Sequence, residues 1–178
     1  EKEKRYYIRL KNVDENYNYL NYIKHLNAWV LAEIKTDKKL VIAGGASHTN
    51  DYLRHIEQKV KKNKNIIMTG FVQGDELEEL FSNTFLYCLP SHIEGMPISL
   101  LEAMSYGRNV LVSDIEENTQ VIGKYGTSFK KGNIYDLAKK LQESLNEKNR
   151  KNSEDIENYI LKRYNWNEMV KETLKLYK

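Results

Sequence analysis

The chain has 178 residues, of which 40% are hydrophobic, so it is long enough for one packed domain and too short for two of ordinary size. Its formal net charge of +3 is the small difference between 28 basic and 25 acidic residues, and the lysines are scattered along the chain. This balance excludes a basic nucleic-acid-binding stripe, so no nucleic-acid partner is expected.

The single cysteine, Cys88, lies inside the apolar run "FLYCLP". It excludes a disulfide within the chain and a thiolate zinc cluster, and it is expected to be a buried core thiol. No segment approaches the roughly 20 apolar residues that cross a bilayer, and the N-terminus does not resemble a signal peptide. We therefore expect a cytoplasmic setting. Because the chain begins without methionine and enters a strand almost at once, we expect it to be a piece of a longer protein.

Short β-rich runs alternate with helical patterns in the first half of the chain. A strand is expected at residues 5–10, followed by an amphipathic helix over residues 17–35. Residues 39–45 predict a strand and a glycine turn, residues 50–62 a helix, and residues 65–70 another strand. A short helix is expected around Leu77, Leu80 and Phe81.

The alternation continues in the second half. Residues 84–90 predict a strand and residues 97–106 a helix, with Gly107 where a C-terminal cap would stand. Strands are expected at residues 109–113 and 128–132. Helical patterns close the chain, one over residues 136–146 and one or two between residues 153 and 177.

Alternating strands and helices with near-continuous apolar strands predict an α/β fold. We expect a doubly wound parallel sheet of about six strands with helices on both faces. In such sheets ligands bind at the carboxyl ends of the strands, where the strand order reverses. With the common order 3-2-1-4-5-6, the loop carrying Arg9 and Lys11 would face the loop carrying Glu94.

The stretch "LPSHIEGMPISLLEAMSYGRNVLVSD", residues 89–114, contains the candidate site. Pro97 is expected at the first helical position, so that the amides of Ile98 and Ser99 point out of the helix N-terminus and bind phosphate. Glu102 lies one turn further on the same helical face, so its carboxylate could accept hydrogen bonds from both hydroxyls of a ribose. Glu94 could bind a second, non-nucleotide group of the same ligand. A solvated glutamate and a ligand-free proline start explain the same spacing, so the residues alone leave both interpretations open.

The same stretch resembles the donor-binding C-terminal domain of the large group 1, or family four, retaining glycosyltransferases, which have the two-domain GT-B fold. The resemblance covers nearly the whole chain and rests on two glutamates separated by seven residues, Glu94 and Glu102. Supporting matches are "LVIAGG", "IIMTGFV", "LEELFSNTFLYCLPS", "TQVIGKYG" and "RYNWNEMVKETLKLY". It implies that residues 1–178 form one half of a GT-B fold, a nucleotide-sugar-binding domain. Helices from about residue 153 would pack against an N-terminal domain that the chain lacks.

The resemblance also assigns roles to residues. Glu94 would contact hydroxyls of the donor sugar, Glu102 would hold the nucleotide ribose, and Arg9 would neutralise diphosphate charge as the leaving group forms. Glu94 and Arg9 are thus the expected catalytic residues. The other expected substrate contacts are the sugar-bordering Gly95 and Met96, the diphosphate-binding amides of Ile98 and Ser99, and the base-lining Phe71 and Val72.

Three positions depart from the family pattern. The family usually has a glycine before the arginine, and this chain has Ile8 there. The family usually has a lysine about five residues after the arginine, and here that place falls on Glu15 or Asp14, either of which would repel a diphosphate. Lys11 is the nearest substitute. Gln120 stands where the family often has a glutamate.

The implied activity is retaining transfer from a nucleotide-diphosphate sugar to an acceptor glycan or lipid-linked sugar, as in polysaccharide biosynthesis. The acceptor would be held by the missing N-terminal domain, so the isolated chain is expected to be inactive. No cofactor is expected, since the nucleotide sugar is the substrate, and no metal, since an Asp-x-Asp motif is lacking. Relatives with lipid-linked acceptors commonly associate with membranes, so peripheral association with the inner face of the membrane is a further expectation for the full-length protein.

Two alternatives stay open. The first is a nucleotide-sugar epimerase, or a phosphorylase, of similar architecture, although the sequence offers neither an evident acid/base set nor an evident cofactor lysine. The second is a non-catalytic nucleotide-sugar-binding partner, which the missing diphosphate lysine favours.

Overall fold

Six parallel strands form one sheet in the part of the chain that the structure describes. The computed structural model describes residues 5–9, 36, 38–44, 57, 58, 60, 61 and 63–177. The strands are β1 (Arg5–Arg9), β2 (Lys39–Ala43), β3 (Ile66–Gly70), β4 (Thr84–Leu89), β5 (Asn109–Ser113) and β6 (Thr127–Phe129). The helices are α1 (Asp75–Ser82), α2 (Ile98–Ser105), α3 (Glu116–Ile122), α4 (Ile134–Ser144), α5 (Ser153–Arg163) and α6 (Trp166–Lys175).

The strand order is β3-β2-β1-β4-β5-β6, so the order reverses between β1 and β4. Ile8 is paired with Cys88, which sets the carboxyl end of β1 beside the carboxyl end of β4. The expected doubly wound topology and its switch point between the first and fourth strands are confirmed.

The core has two layers, one on each face of the sheet. Leu40 and Ile42 of β2 face one layer, which α4 covers, and Val41 and Ala43 face the other, which is covered by α1, α2, α3 and α5. This alternation follows from the period of two in a strand, where successive side chains point to opposite faces. Helices on both faces explain why the central strands are apolar throughout, and the expected layer arrangement is confirmed.

Asparagine side chains set the starts of the last three helices. Helix α4 begins at Ile134, slightly before the expected start near residue 136, because the Asn133 side chain accepts hydrogen bonds from the amides of Tyr135 and Asp136. Asn152 and Asn165 cap α5 and α6 in the same way. Two helices therefore lie between residues 153 and 177, where one or two were expected.

Other boundaries also differ from the expectation. The last strand, expected at residues 128–132, is the shorter β6, because the chain turns at Lys130–Asn133 and Gly132 has a φ of 73°. Helix α3 was not expected, although it starts with two glutamates and ends at a glycine. The helix expected over residues 17–35 lies outside the described residues, as does most of the helix expected over residues 50–62.

Helix α2 ends in a Schellman motif at Gly107, where a cap was expected. The Gly107 amide donates to the Met104 carbonyl at 2.9 Å and the Arg108 amide donates to the Ala103 carbonyl at 3.1 Å. Gly107 has a φ of 65°, and its carbonyl accepts a hydrogen bond of 2.9 Å from the Ser153 hydroxyl at the start of α5. The C-terminal end of α2 is thus tied to α5, at the opposite end of the helix from the candidate site.

Cys88 is completely buried in the layer that α4 covers, as expected. Burial raises the pKa of its thiol to about 12, because the thiolate would lose its hydration. Since the thiolate is the reactive form, we predict that a thiol reagent leaves the folded chain unmodified at mildly alkaline pH and labels it only after unfolding. Rapid labelling of the native chain in an absorbance assay would contradict this assignment.

Helices long and apolar enough to cross a membrane are absent from the described ranges.

Candidate functional site

The loop between β4 and α2 carries the first expected acid, Glu94. Its side chain is only 7% exposed, and its Oε1 accepts a hydrogen bond of 2.6 Å from the Ser91 hydroxyl. A buried carboxylate is tolerated when hydrogen bonds replace its lost hydration. Glu94 is therefore held within the loop and does not extend into solvent.

Pro97 is not the first helical residue, so this part of the prediction was wrong. Its φ of −78° and ψ of 75° are those of an inverse γ-turn, and the Ile98 amide donates to the Met96 carbonyl at 2.9 Å. The Pro97 carbonyl accepts from the Leu100 amide, so the proline stands at the N-cap position. The expected pair of outward amides is reduced to one, because the Ile98 amide already has an acceptor.

Ser99 supplies the remaining donor of the first turn. Its amide makes no hydrogen bond to the described residues. Its hydroxyl accepts a hydrogen bond of 2.8 Å from the hydroxyl of Tyr87, a fully buried residue of β4. This bond fixes the start of α2 against the strand that leads into it.

Glu102 lies one turn further along α2 and is half-buried. Partial burial raises the pKa of Tyr106, and the nearby carboxylates of Glu78 and Glu102 raise it further. The Tyr106 ring stacks on Phe81 with centroids 5.6 Å apart. Glu102 and Glu78, an acid of α1, thus both lie within electrostatic range of the Tyr106 hydroxyl.

Apolar side chains expected around a ligand are exposed on the same end of the sheet. Phe71, directly after β3, is 73% exposed, whereas the neighbouring Val72 packs partly against the core. Met96 and Ile98 are each 50% exposed. A Cβ placed on Gly95 would meet no atom within 4 Å, so this glycine borders open space.

Of the two expected basic residues, only the backbone of Arg9 lies among the described residues. The backbone of Arg9 ends β1, and the register sets it next to the start of the β4–α2 loop. Its side chain, and Lys11 as a whole, lie outside the described residues. Their roles stay predictions.

Sequence reasoning missed three side chains that support the site: Ser91, Tyr87 and Tyr106. Ser91 follows a strand end and precedes a carboxylate by three residues, a spacing at which serine often makes local hydrogen bonds. No sequence signal distinguished Tyr87 or Tyr106 from other apolar positions, because their partners come from other elements.

The sheet, its switch point and the β4–α2 loop define a Rossmann-like half of a GT-B glycosyltransferase fold. Residues 1–163 match the family model of glycosyl transferases group 1. The chain belongs to this family.

Solved structures with this fold include HepE from Anabaena in complex with UDP and glucose, with a TM-score of 0.80 at 16% identity over 97% of this chain and 48% of that chain. The C-terminal domain of the group 1 glycosyl transferase LpcC from Francisella tularensis superimposes with a TM-score of 0.74 at 22% identity, over 89% of this chain and 86% of that chain. At these identities the likeness establishes the fold.

One curated relative is the N,N'-diacetylbacillosaminyl-diphospho-undecaprenol alpha-1,3-N-acetylgalactosaminyltransferase of Campylobacter jejuni. It is 37% identical over 68 residues, which are 37% of this chain and 18% of that protein. The chain spans about a fifth or less of the first curated relatives it matches, 21% and 17% of their lengths.

Proposed function

We propose that this chain is the donor-binding domain of a retaining glycosyltransferase and binds a nucleotide-diphosphate sugar. The observation that carries the proposal is the arrangement around the start of α2. A buried, hydrogen-bonded Glu94 precedes the helix, the Ser99 amide in its first turn has no acceptor among the described residues, and Glu102 follows one turn later. A free amide at a helix N-terminus favours the binding of an anion, and a carboxylate on either side can accept hydrogen bonds from hydroxyl groups.

Glu102 is suited to the ribose. A phosphate beside the Glu102 carboxylate would meet a like charge, whereas a neutral pair of hydroxyls can donate hydrogen bonds to it. The base would lie against the exposed Phe71 and the neighbouring Val72. On this reading the nucleoside occupies the side of the site formed by α1, α2 and the loop after β3.

The diphosphate would lie at the Ser99 amide, with Arg9 and Lys11 as the proposed neutralising cations. The Ile98 amide can join only if the Met96 carbonyl releases it. As the bond to the sugar breaks, negative charge grows on the diphosphate, and fixed donors that meet this charge lower the barrier. The family lysine is missing, so Arg9 would carry more of this role.

The donor sugar would then contact Glu94, Gly95 and Met96. The open space at Gly95 leaves room for a sugar ring close to the backbone, and the carboxylate of Glu94 can accept its hydroxyl hydrogens. Glu94 and Arg9 are the proposed catalytic residues. The proposal needs no metal and no cofactor, because the nucleotide sugar is itself the activated substrate.

The acceptor would be a glycan or a lipid-linked sugar in polysaccharide biosynthesis, held by an N-terminal domain that this chain lacks. UDP in the HepE structure supports the nucleotide donor, and the diphospho-undecaprenol substrate of the Campylobacter relative supports a lipid-linked acceptor. A cytoplasmic location, with the full-length protein reaching the inner face of the membrane peripherally, follows from such an acceptor.

The last helix supports a missing partner domain. Met169, Val170 and Leu174 of α6 are each about half exposed, and α6 lies beyond the residues that match the family model. We propose that α5 and α6 pack against the N-terminal domain and that the isolated chain binds donor without turnover. An epimerase of the same architecture draws no support from the described residues or from the names of the relatives.

Calorimetry tests the proposal. The chain is titrated with UDP, GDP and ADP, and with UDP-glucose, GDP-mannose and ADP-glucose. We expect one base to be preferred, and we expect Glu94→Gln to weaken the matching nucleotide sugar about tenfold while changing the nucleoside diphosphate little, since a charge-assisted hydrogen bond to the sugar is lost.

The matched control is Glu154→Gln, an exposed glutamate at the start of α5, near the far end of α2. It should leave both affinities unchanged. Absence of binding by all six compounds, or equal weakening by the two variants, would overturn the proposed function. A protein that includes the N-terminal domain should transfer sugar, and Glu94→Gln should abolish this transfer. This result would distinguish a transferase from a non-catalytic binding partner.

A further inference from the structure

A chain of hydrogen bonds leads from helix α3 to Glu94. The Asn118 amide nitrogen donates to the Ser113 hydroxyl at 3.1 Å, and the Ser113 hydroxyl donates to the Ser91 carbonyl at 2.5 Å. The Ser91 hydroxyl then donates to Glu94 Oε1 at 2.6 Å. Three elements, the β4–α2 loop, the end of β5 and α3, are joined by these contacts.

Burial distinguishes this series of hydrogen bonds from ordinary hydrogen bonds at the protein surface. Ser113 is 1% exposed and Asn118 is fully buried. Asn118 Oδ1 has no hydrogen-bond partner among the described residues, and a buried acceptor in this state is destabilising. The Asn118 side-chain nitrogen, by contrast, donates to both the carbonyl and the hydroxyl of Ser113.

The loop needs such support. Residues 90–97 connect β4 to α2 and include Gly95, and two apolar side chains of the loop, Ile93 and Met96, are largely exposed and contribute little packing. An acid on a loop of this kind samples several positions unless hydrogen bonds restrict it, and a carboxylate that grips a ligand works best when it is held in place beforehand.

We propose that Ser91 is a positioning residue that orients the Glu94 carboxylate for the donor sugar, and that Ser113 and Asn118 hold Ser91 in turn. This proposal rests on the proposed function, in which Glu94 contacts the sugar. It gives the serine-to-glutamate contact a specific consequence: its loss affects the sugar and spares the nucleotide, whose contacts belong to α2 and the loop after β3.

The test compares Ser91→Ala, Ser91→Thr and Ser113→Ala with the unaltered chain. For each variant we measure the factor by which the dissociation constant increases relative to the unaltered chain. The factor for the preferred nucleotide sugar is then divided by the factor for its nucleoside diphosphate. We expect this ratio to be about three to ten for Ser91→Ala, since one hydrogen bond to a charged group is lost. Ser91→Thr keeps the hydroxyl on a half-buried residue, so its ratio should return to about one.

Ser113→Ala should give a smaller ratio in the same direction. If this variant unfolds, the test still stands on Ser91, which is not fully buried. A double variant of Ser91→Ala with Glu94→Gln should be no weaker for the nucleotide sugar than Glu94→Gln alone, because the serine acts through the carboxylate.

The outcomes separate the two proposals. If Glu94→Gln leaves the ratio at about one, the role of Glu94 in the proposed function fails. If Glu94→Gln raises the ratio but Ser91→Ala does not, or if Ser91→Thr is as defective as Ser91→Ala, the positioning role is overturned and the proposed function stands.

Discussion

Replacing Glu102 with glutamine is expected to weaken the binding of nucleoside diphosphates and of nucleotide sugars by the same factor, about tenfold to a hundredfold. The carboxylate is proposed to accept both ribose hydroxyls, and hydrogen bonds to a charged group contribute about 1.5–3 kcal/mol. Glutamine keeps the length of the side chain but not its charge, so α2 and its packing should be unchanged. Calorimetry with the preferred nucleotide measures the loss.

The pattern across ligands is the sharper part of this prediction. Glu102→Gln should affect ligands with and without sugar alike, whereas Glu94→Gln should affect only the nucleotide sugar. The 2′-deoxy form of the nucleotide should bind the unaltered chain more weakly and lose less affinity in the variant than the ribonucleotide does, because one of the two hydroxyls that would donate to the carboxylate is already absent. A full additional loss with the deoxy ligand would assign Glu102 to another contact.

The second large effect concerns stability. Gly107→Ala is expected to destabilise the chain by about 2–5 kcal/mol, from a left-handed backbone that alanine adopts at a cost of about 1–2 kcal/mol and from overpacking of about 1–3 kcal/mol. The added Cβ would lie 2.1 Å from the Ser153 hydroxyl oxygen and 2.6 Å from the Ser153 carbonyl oxygen. The carbonyl belongs to the backbone, so α5 would have to move away from α2. Thermal unfolding monitored by circular dichroism measures the change.

Two further glycines divide this effect into its parts. Gly132 also has a positive φ, of 73°, and a Cβ there would come no closer than 3.7 Å to the His92 side chain, an ordinary contact distance, so Gly132→Ala should show the backbone cost alone. Gly95→Ala has neither problem and should leave the melting temperature nearly unchanged. If Gly107→Ala is no more destabilising than Gly132→Ala, the close contact between α2 and α5 is not rigid.

Much of the fold could be predicted because it depends on local patterns. The apolar strands, the alternation with helices and the glycine cap of α2 follow from side-chain period and from the conformational freedom of one residue. The strand order followed from the commonest topology of this class. Helix α3 escaped prediction because it is short and follows a strand with almost no loop, so its pattern is hard to separate from its neighbours.

The site was less predictable, since its details depend on contacts between distant elements. Spacing alone could relate Glu94 and Glu102 to the helix start, but it could not reveal the inverse γ-turn at Pro97, where ψ depends on the carbonyl that the Ile98 amide finds. The Ser113 hydroxyl reaches Ser91 across 22 residues of sequence, and no local pattern encodes that pairing. Such contacts become visible only in three dimensions.

The closed turn at Pro97 also bears on how quickly a bound anion leaves. A phosphate that recruits the Ile98 amide must displace the Met96 carbonyl, so one acceptor replaces another and the net gain in free energy is small. When the phosphate departs, the Met96 carbonyl can accept from the Ile98 amide again at once, so this donor is not left without a partner during dissociation. On the proposed function, this exchange would shorten the residence time of the nucleotide product and keep slow release from limiting turnover.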